Sequence, residues 1–505
     1  MGKLINTIIN NFSGGLLEDK RSGWLGSISS GFTTRYFGLT KHFDIFSYPK
    51  KLVPYRGNVS DDSGNVKTYD IERFLFCPTS YGTGEALHGY GVDAGTTNPK
   101  VWLYDDISSG LFNGFTIAKN NAVGAGTNRR TDVFFYYKDY IYLFTGYRYL
   151  CRYHSNGSDA FNDSYFDYTT TYSSVVQPVH HRADDRAYFF IDNKVYRLND
   201  TTWEGVVLTL PDNLEISACC EYGNYLAIGC TSKLSLRKKS TVYLWDRDSS
   251  LETVSQRIDF GSGELKHLAN LNNKLVGVVD YLLDNFYGLN NGKLIIKIAS
   301  GNFSLPLKEL NSDATFANVV SKDNVVEDNK LYIPLKATLN GDTRLGIWVI
   351  DEFGTMTIDT LEDSAISYQG IYKIGKMWLF AHSGDGSIDR TSISGYTDTS
   401  IYETLVFNAG DSSLSKKLIG VTVTTEKLPA AGQIVLKYRI NGATSWTTIF
   451  TNTEDDSIEH SAINIESLGA NLPVYKEIEF QVLSTGGAVF TGLYFQSEII
   501  DEKLW

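Results

Sequence analysis

Between residues 71 and 395 the chain repeats one pattern of hydrophobic and polar positions. A polar turn leads into a short apolar strand, and a second turn leads into a strand that mixes aliphatic and aromatic residues. Short strands that recur at a period of about 40–50 residues are typical of the four-stranded blades of a β-propeller. Equivalent positions of the second strand recur at seven places: Val101, Tyr149, Val195, Val242, Leu294, Ile347 and Ile388.

Seven repeats predict seven blades, because each blade must cover an apolar face by stacking against its neighbours around a ring. Six or eight blades are alternatives, since the first repeat is poorly marked, and chance periodicity within a β-sandwich is another. The repeats lack the GH…WD signature of WD40 blades and the S-x-D-x-G-x-T-W box of sialidase-type blades. The prediction therefore depends on spacing and not on a blade motif.

After residue 400 the pattern changes to longer alternating strands. In QIVLKYRI, Ile434 and Leu436 alternate with Val435 and Lys437, which predicts a strand with one buried face. We therefore expect an all-β fold in which a β-propeller (58–398) is followed by an antiparallel β-sandwich or jelly roll (399–505). No linker rich in Pro, Gly or Ser separates the two regions, so we expect them to be joined rigidly.

The first 57 residues fit neither pattern. Their leading apolar residues fall at helical spacing, which predicts a short helix that must dock on a surface to be stable. Further on, HFDIFSYPKKLVPYRG (42–57) reads as an extended strand that could close the propeller ring by joining the last blade. We interpret 1–57 as a docking arm with a ring-closing strand. Its candidate docking residues are Leu4, Ile5, Ile8, Ile9, Phe12, Lys20, Arg21 and Trp24.

Composition and charge support this division. The 32 Tyr, 27 Phe and 45 Gly favour many short strands joined by turns. Residues 1–57 carry a net charge of +5, which leaves −17 for the rest of a chain whose total is −12. A basic arm on an acidic body suggests docking on an acidic protein surface, its own or a neighbour's, with a solvated tail as the alternative. The acidic body disfavours nucleic-acid binding.

Five cysteines, without a CxxC pair, indicate reduced core thiols and neither disulfides nor a zinc site. No apolar run is long enough to span a membrane, and the N-terminus lacks a secretory or myristoylation signal. These features predict a soluble protein without a membrane anchor.

Sequence motifs for catalysis are absent: there is no GxSxG, HExxH, P-loop or GxGxxG before a helix. The run VHHRADDRAYFF is expected to be a solvated loop between blades, with His180 and His181 on opposite faces of a strand. HSGDGSIDR (382–390) and HSNGSDAFNDSYFD (154–167) could bind calcium but lack the spacing of a calcium loop. We predict no catalytic residue, no metal and no cofactor.

Aromatic residues in the polar segment SDAFNDSYFDYTTTYSSV suggest a second surface. A long loop between blades that carries aromatic rings suits contact with a glycan or a protein, or simply covers the rim of the propeller. The residues concerned are Tyr165, Phe166, Tyr168 and Tyr172.

Together, NNFSGGL near the start, YPKKLVPYRG before the repeats and LPAAGQIVLKYRINGATSWTTI in the sandwich resemble structural proteins of tailed bacteriophages. The resemblance implies a virion protein of the tail or neck, such as a nozzle, hub or fibre adaptor. It implies assembly in the host cytoplasm as a symmetric homo-oligomer that binds portal, neck or tail proteins. Alternatives are a receptor- or glycan-binding adhesion protein and a propeller glycan hydrolase.

Overall fold

The computed structural model describes most of the chain, and its regular secondary structure is β-strand throughout these residues. The described residues are 3–17, 20–60, 69–79, 84–93, 99–104, 115–119, 133–145, 149–155, 162–167, 174–233, 238–250, 253–281, 293–311, 318–319, 324–339, 342–362, 368–375, 377–382, 388–391, 395–396, 399–453, 460–463 and 473–500.

The strands fall into three groups along the chain. Before the repeats lie β1 (Leu4–Ile9), β2 (Gly15–Leu16), β3 (Leu25–Ser27), β4 (Gly31–Thr33), β5 (Tyr36–Phe37), β6 (Leu39–Lys41), β7 (Phe43–Asp44) and β8 (Val53–Pro54). The repeats contain β9 (Asn58–Ser60), β10 (Tyr69–Thr79), β11 (Gly84–Asp93), β12 (Pro99–Tyr104), β13 (Phe115–Lys119), β14 (Phe134–Tyr137), β15 (Tyr140–Thr145), β16 (Tyr149–His154), β17 (Asn162–Asp167), β18 (Val175–His181), β19 (Arg186–Ile191), β20 (Lys194–Asn199), β21 (Thr202–Thr209), β22 (Leu214–Tyr222), β23 (Tyr225–Ser232), β24 (Lys239–Trp245), β25 (Gln256–Ser262), β26 (Glu264–Leu271), β27 (Lys274–Tyr281), β28 (Lys293–Ser300), β29 (Phe303–Asn311), β30 (Asn318–Val319), β31 (Val325–Glu327), β32 (Lys330–Leu339), β33 (Asp342–Asp351), β34 (Met356–Glu362), β35 (Tyr368–Ile374), β36 (Met377–His382) and β37 (Ile388–Thr391). The last group is β38 (Ser400–Glu403), β39 (Lys416–Thr425), β40 (Gln433–Ile440), β41 (Thr447–Asn452), β42 (His460–Ile463), β43 (Val474–Tyr475), β44 (Ile478–Thr485) and β45 (Phe490–Ile499).

The repeats form a β-propeller, as predicted. Within the described residues β10–β13, β14–β17, β18–β21, β22–β25 and β26–β29 make five four-stranded blades, and β30–β34 make the sixth. The seventh is β35–β37 completed by β9. The seven positions that define the sequence period lie on the third strand of the seven blades. Contact between β10 and β35 brings the first and last blades together, so the ring is closed.

Polar turns between the first and second strands of the blades explain why the period is visible in the sequence. In blade five β26 and β27 are joined by Asn272 and Asn273, which have φ angles of 50° and 62°. In blade six Asp328 and Asn329 have φ angles of 50° and 57°. Two-residue hairpin turns require this left-handed conformation, and Asn and Asp tolerate it better than other residues with a side chain.

The strand that closes the propeller ring lies just after the segment in which we predicted it. We predicted the ring-closing strand within 42–57, but there β7 and β8 pair with each other, Phe43 with Pro54. The strand that joins the last blade is β9, in which Val59 pairs with Arg390 of β37. The two prolines favour a short turned hairpin over a continuous edge strand.

The C-terminal region, together with strands of the N-terminal segment, forms two sheets that pack face to face, and their strands are antiparallel except where β1 pairs with β4. One has the order β3-β4-β1-β45-β39-β42, with β43 beside β39, and the other runs β38-β44-β40-β41. Phe495 of the first sheet and Phe480 of the second lie 4.8 Å apart between ring centroids. As the alternation in QIVLKYRI predicted, Ile434 and Leu436 are fully buried.

Backbone hydrogen bonding joins the propeller to this sandwich. Strand β6 pairs with β34 at the outer edge of blade six, Lys41 with Ile358, and with β38 on its other side. The sheet of blade six thus continues into the second sheet of the sandwich. One hydrophobic core includes Ile333 and Trp348 of blade six together with Tyr402 and Phe480 of the sandwich.

The N-terminal helix was a wrong prediction. Residues 4–9 form β1, which pairs with β45 and β4 as an internal strand of the sandwich. Ile5 and Ile9 are fully buried, whereas Leu4 and Ile8 are 50% and 41% exposed. Alternate burial is the signature of a strand. The sequence LINTII does not alternate, because Leu4 and Ile8 are apolar on the exposed face and Thr7 is polar on the buried face, so its spacing matched a helix instead.

Candidate functional site

The predicted docking residues of the N-terminal segment make contacts within their own chain. Phe12 is fully buried and packs against Tyr402 and Phe490, with ring centroids 5.4 and 5.6 Å away. Trp24 donates its indole N–H to the carbonyl of Val406 at 2.9 Å and packs on Phe407. Phe12 is part of the sandwich core and Trp24 packs against it, so these two predicted docking residues dock on their own chain and not on a neighbour.

Lys20 lies in a buried charge cluster. Its Nζ is 3.2 Å from Oε2 of Glu403 and 3.4 Å from Oε2 of Glu479, and all three side chains are over nine-tenths buried. Arg439 donates to Glu479 at 2.8 Å. Nearby, Arg21 forms an exposed ion pair with Glu477 at 3.1 Å. The basic segment therefore docks on an acidic surface of its own chain.

Two of the four aromatic residues predicted to contact a glycan or a protein lie in a strand and pack against other side chains. Tyr165 and Phe166 lie on β17, the outer strand of blade two, and both are half-buried. The Arg152 guanidinium stacks 3.9 Å from the Tyr165 ring centroid, and Phe166 packs 4.6 Å from Trp203 of blade three. The expected loop was wrong for these two residues, which fill the interface between blades. Tyr168 and Tyr172 lie outside the described residues.

Two adjoining cavities, here together called the channel, lie at the centre of the propeller. A cavity of about 800 Å³ is lined by residues from the innermost strands of all seven blades, including Phe74, Val179, Ala269 and Tyr372. A second cavity of about 440 Å³ shares Arg73 and Gln177 with it. Polar side chains in the channel tie neighbouring blades together: Gln177 exchanges hydrogen bonds with the backbone of Phe134.

The VHHRADDR run spans the hairpin turn between β18 and β19 of blade three, and its Val179 and Arg182 line the channel. We expected a solvated loop between blades, but His181 is fully buried, and Arg247 of blade four donates to its ring. Burial and the Arg247 charge lower the pKa of His181. His180 is exposed and pairs with Asp185 at 2.9 Å, so the two histidines do lie on opposite faces.

Nucleophilic and metal chemistry finds little support in the described part of the chain. Burial raises the pKa of Cys219, Cys220 and Cys230, which disfavours the reactive thiolate form. Among the described side chains, His, Cys, Asp and Glu form no group of three that could hold a metal ion. The centres of the two calcium candidates, 156–161 and 383–387, lie outside the described residues. The described residues also contain no helix that could cross a membrane.

One pair of carboxyl groups lies beside the channel. Glu264 and Asp280 are directly opposite each other across β26 and β27. Burial acts to raise the pKa of Glu264, but hydrogen bonds from Lys238 and Lys266 outweigh it and lower the value. Burial raises the pKa of Asp280 to about 6. Two neighbouring carboxyl groups whose pKa values are shifted in opposite directions are typical of acid–base catalysis. Asp280, however, is only 5% exposed and does not line either channel cavity, so a substrate in the channel would not contact it.

A smaller cavity of about 190 Å³ lies between blades six and seven, with the β7–β8 hairpin as its third wall, and shares Glu327 and Asp328 with the channel. Tyr332 and Trp378 meet edge to face with centroids 5.1 Å apart, and Lys373 donates to the Tyr332 hydroxyl at 2.9 Å. Phe46 and Tyr55 come from the hairpin.

Sequence reasoning missed this cavity between blades. Its hairpin residues were visible in HFDIFSYPKKLVPYRG as aromatic residues, but their partners lie about 270 or more residues further along the chain.

No protein-family model matches the chain, and no curated protein is similar to it in sequence. Solved structures are similar to it at low identity. A structure of the Dos1 propeller matches 68% of this chain and 95% of its own at 10% identity and a TM-score of 0.37. BamB from Moraxella catarrhalis matches 68% and 98% at 10% identity and 0.34. Kluyveromyces lactis Hsv2 matches 66% and 93% at 7% identity and 0.36. The blade assignment depends on the strand pairing described above.

Proposed function

We propose that this chain is a structural component of a tailed-phage virion, in the tail or neck, where it binds neighbouring virion proteins and performs no catalysis. The observation that carries the proposal is the continuous sheet through β6, which fuses propeller and sandwich over one core. A structural protein that connects neighbouring subunits benefits from a rigid connection between its own domains. Here the propeller and the sandwich are joined by a shared sheet and not by a flexible linker.

The exposed side of β1 is the part of the N-terminal segment that can meet a neighbour. Leu4 and Ile8 lie on it, and Leu25 of β3 is 64% exposed on the same sheet. Portal, neck or tail proteins and further copies of this chain are the partners that the phage resemblance implies, with assembly in the host cytoplasm.

Mass spectrometry of purified particles tests the proposal, together with a particle map that locates the chain. We expect the chain in particles at a fixed copy number. A chain that is abundant in lysate but missing from particles would contradict a virion role. The double substitution Leu4→Lys/Ile8→Lys should reduce incorporation while the protein still folds. Val206→Lys, at an exposed position on β21 of blade three, is the matched control.

A propeller glycan hydrolase is the second alternative, after a glycan-binding adhesion protein, and the Glu264–Asp280 pair is its candidate catalytic pair. Purified protein is expected to leave host polysaccharide intact. Turnover that Glu264→Gln abolishes would overturn the non-catalytic part of the proposal.

A further inference from the structure

The cavity between blades six and seven has three walls that come from distant parts of the chain. The β7–β8 hairpin supplies Phe46 and Tyr55, blade six supplies Glu327 and Tyr332, and blade seven supplies Trp378. At about 190 Å³ it is smaller than the roughly 300–1,000 Å³ of sites for drug-sized ligands. Its size suits a single small polar molecule.

The walls are held in place by contacts that do not depend on a ligand. Oδ1 of Asp44 accepts the amides of Phe46 and Ser47 at 3.0 and 2.9 Å, which fixes the turn of the hairpin. The amide of Tyr55 donates to the carbonyl of His42 at 2.7 Å. On the opposite wall Trp378 donates its backbone N–H to Oγ1 of Thr391 at 2.9 Å. A preformed cavity spends little free energy on ordering when it binds.

The charges of the lining balance. Arg56, Lys330 and Lys373 are matched in number by Asp44, Glu327 and Asp328. Lys373 forms an ion pair with Glu327, and the Lys330 ammonium lies 5.1 Å from the centroid of the Phe46 ring. A ligand with net charge gains no overall attraction from such a lining. A ligand whose groups both donate and accept hydrogen bonds can use ammonium and carboxylate groups at once.

The uncharged part of the lining has four aromatic residues, Phe46, Tyr55, Tyr332 and Trp378, beside His42, Ser47, Gly375 and Thr391. Aromatic rings pack well against the apolar C–H faces of a sugar ring. A hexopyranose combines such faces with hydroxyl groups that donate and accept. We propose that this cavity binds one neutral hexopyranose unit at the end of a glycan, which adds recognition to the structural role proposed above.

Saturation-transfer NMR on the full chain tests the site, with glucose, galactose, mannose and N-acetylglucosamine as neutral probes. Glucuronate and glucosamine serve as charged comparisons, and an immobilised oligosaccharide ending in the preferred sugar tests the glycan form. We expect saturable binding of at least one neutral sugar, in both free and immobilised forms. Binding restricted to charged sugars, or to the free sugar alone, would overturn the proposal.

Two variants of the same hairpin separate binding from folding. Phe46→Ala removes a ring that lines the cavity and should weaken binding by about tenfold, the loss of roughly 1.4 kcal/mol. Tyr48→Ala removes a ring from the same hairpin that is 41% exposed and outside the lining, so it should leave binding unchanged.

If Phe46→Ala keeps both its thermal midpoint and its sugar affinity, the cavity is not the site. If Phe46→Ala unfolds, Lys330→Gln is the second test. It removes a charged hydrogen-bond donor from the cavity lining and should also weaken sugar binding. Incorporation of Phe46→Ala into particles is a separate readout: loss of sugar binding with normal incorporation leaves the virion role standing.

Discussion

Residues 3–57 and the seven blades are both built from short strands, but their strands find partners over very different distances along the chain. In blade five, β26 pairs with β27 across the two-residue turn at Asn272 and Asn273. In the N-terminal segment, β1 pairs with β45, and Leu4 lies opposite Glu498. Local pairing leaves a repeated pattern in the sequence, whereas pairing between the two ends of the chain leaves none. A segment whose strands pair with distant parts of the chain, as β1 does with β45, is easily mistaken for an arm outside the fold.

Deleting residues 1–24 should have the largest effect on this comparison. The deletion removes β1 from the middle of a sheet and takes Phe12, Lys20 and Trp24 out of the sandwich. We expect an insoluble or partly unfolded protein, measured by soluble yield and thermal unfolding. A soluble monomer with an unchanged thermal midpoint would instead show that residues 1–24 are an arm that the fold does not need.

Ile5→Ala and Ile8→Ala distinguish the strand from the helix. A helix buried on the predicted face would lose stability with either substitution. In the observed strand, Ile5→Ala should lower the free energy of unfolding by about 3 kcal/mol, because it leaves a cavity in the core. Ile8→Ala, on the exposed face, should change it by less than about 0.5 kcal/mol. Equal losses in chemical denaturation would contradict the strand.

Lys20→Met tests whether the basic segment is bound by charge as well as by packing. It leaves Glu403 and Glu479 buried without the ammonium that they share, which should cost about 3 kcal/mol. Arg21→Met removes an exposed ion pair and should cost at most about 1 kcal/mol. If the charge is the cause, adding Glu403→Gln and Glu479→Gln to Lys20→Met should restore part of the loss.

Of the four principal changes, Asp280→Asn in blade five should have the smallest effect on stability, and this effect should depend on pH. The pKa of Asp280 is raised from 3.8 to about 6, so the native state binds more protons than the unfolded state between these values. Stability therefore falls as pH rises through this window, and it stays reduced at pH 7. Asp280→Asn should raise the free energy of unfolding at pH 7 by about 2 kcal/mol and by less at pH 5.

Denaturation of the wild type and the variant at both pH values measures this difference. Glu215→Gln, which removes a half-buried carboxyl from the channel lining, is the control. A gain that does not depend on pH would show that ionisation of Asp280 is not its source.

The blades could be predicted because their information is local. Turns such as Asn272–Asn273 and Asp328–Asn329 sit between alternating strands, and the seven equivalent positions all fall on third strands. The alternation in QIVLKYRI likewise identified the buried residues Ile434 and Leu436. In each case the residues that decide the structure lie within one period of the pattern.

The candidate sites could not be predicted in the same way. Tyr165 and Phe166 looked exposed because their segment is polar, but Arg152 and Trp203 cover them. The cavity between blades six and seven unites Phe46 with Trp378, and no spacing rule connects residues so far apart.

The sequence by itself determined that the chain is all-β, that its middle is a ring of repeated units and that its end is a set of alternating strands. Period and alternation are local consequences of strand geometry, so they can be read directly. Only the tertiary structure decided that β1 completes the sandwich, that β9 closes the ring and that β6 joins the two regions. These pairings bring distant segments together, and their stability comes from burial and hydrogen bonds that form only when the whole chain is folded.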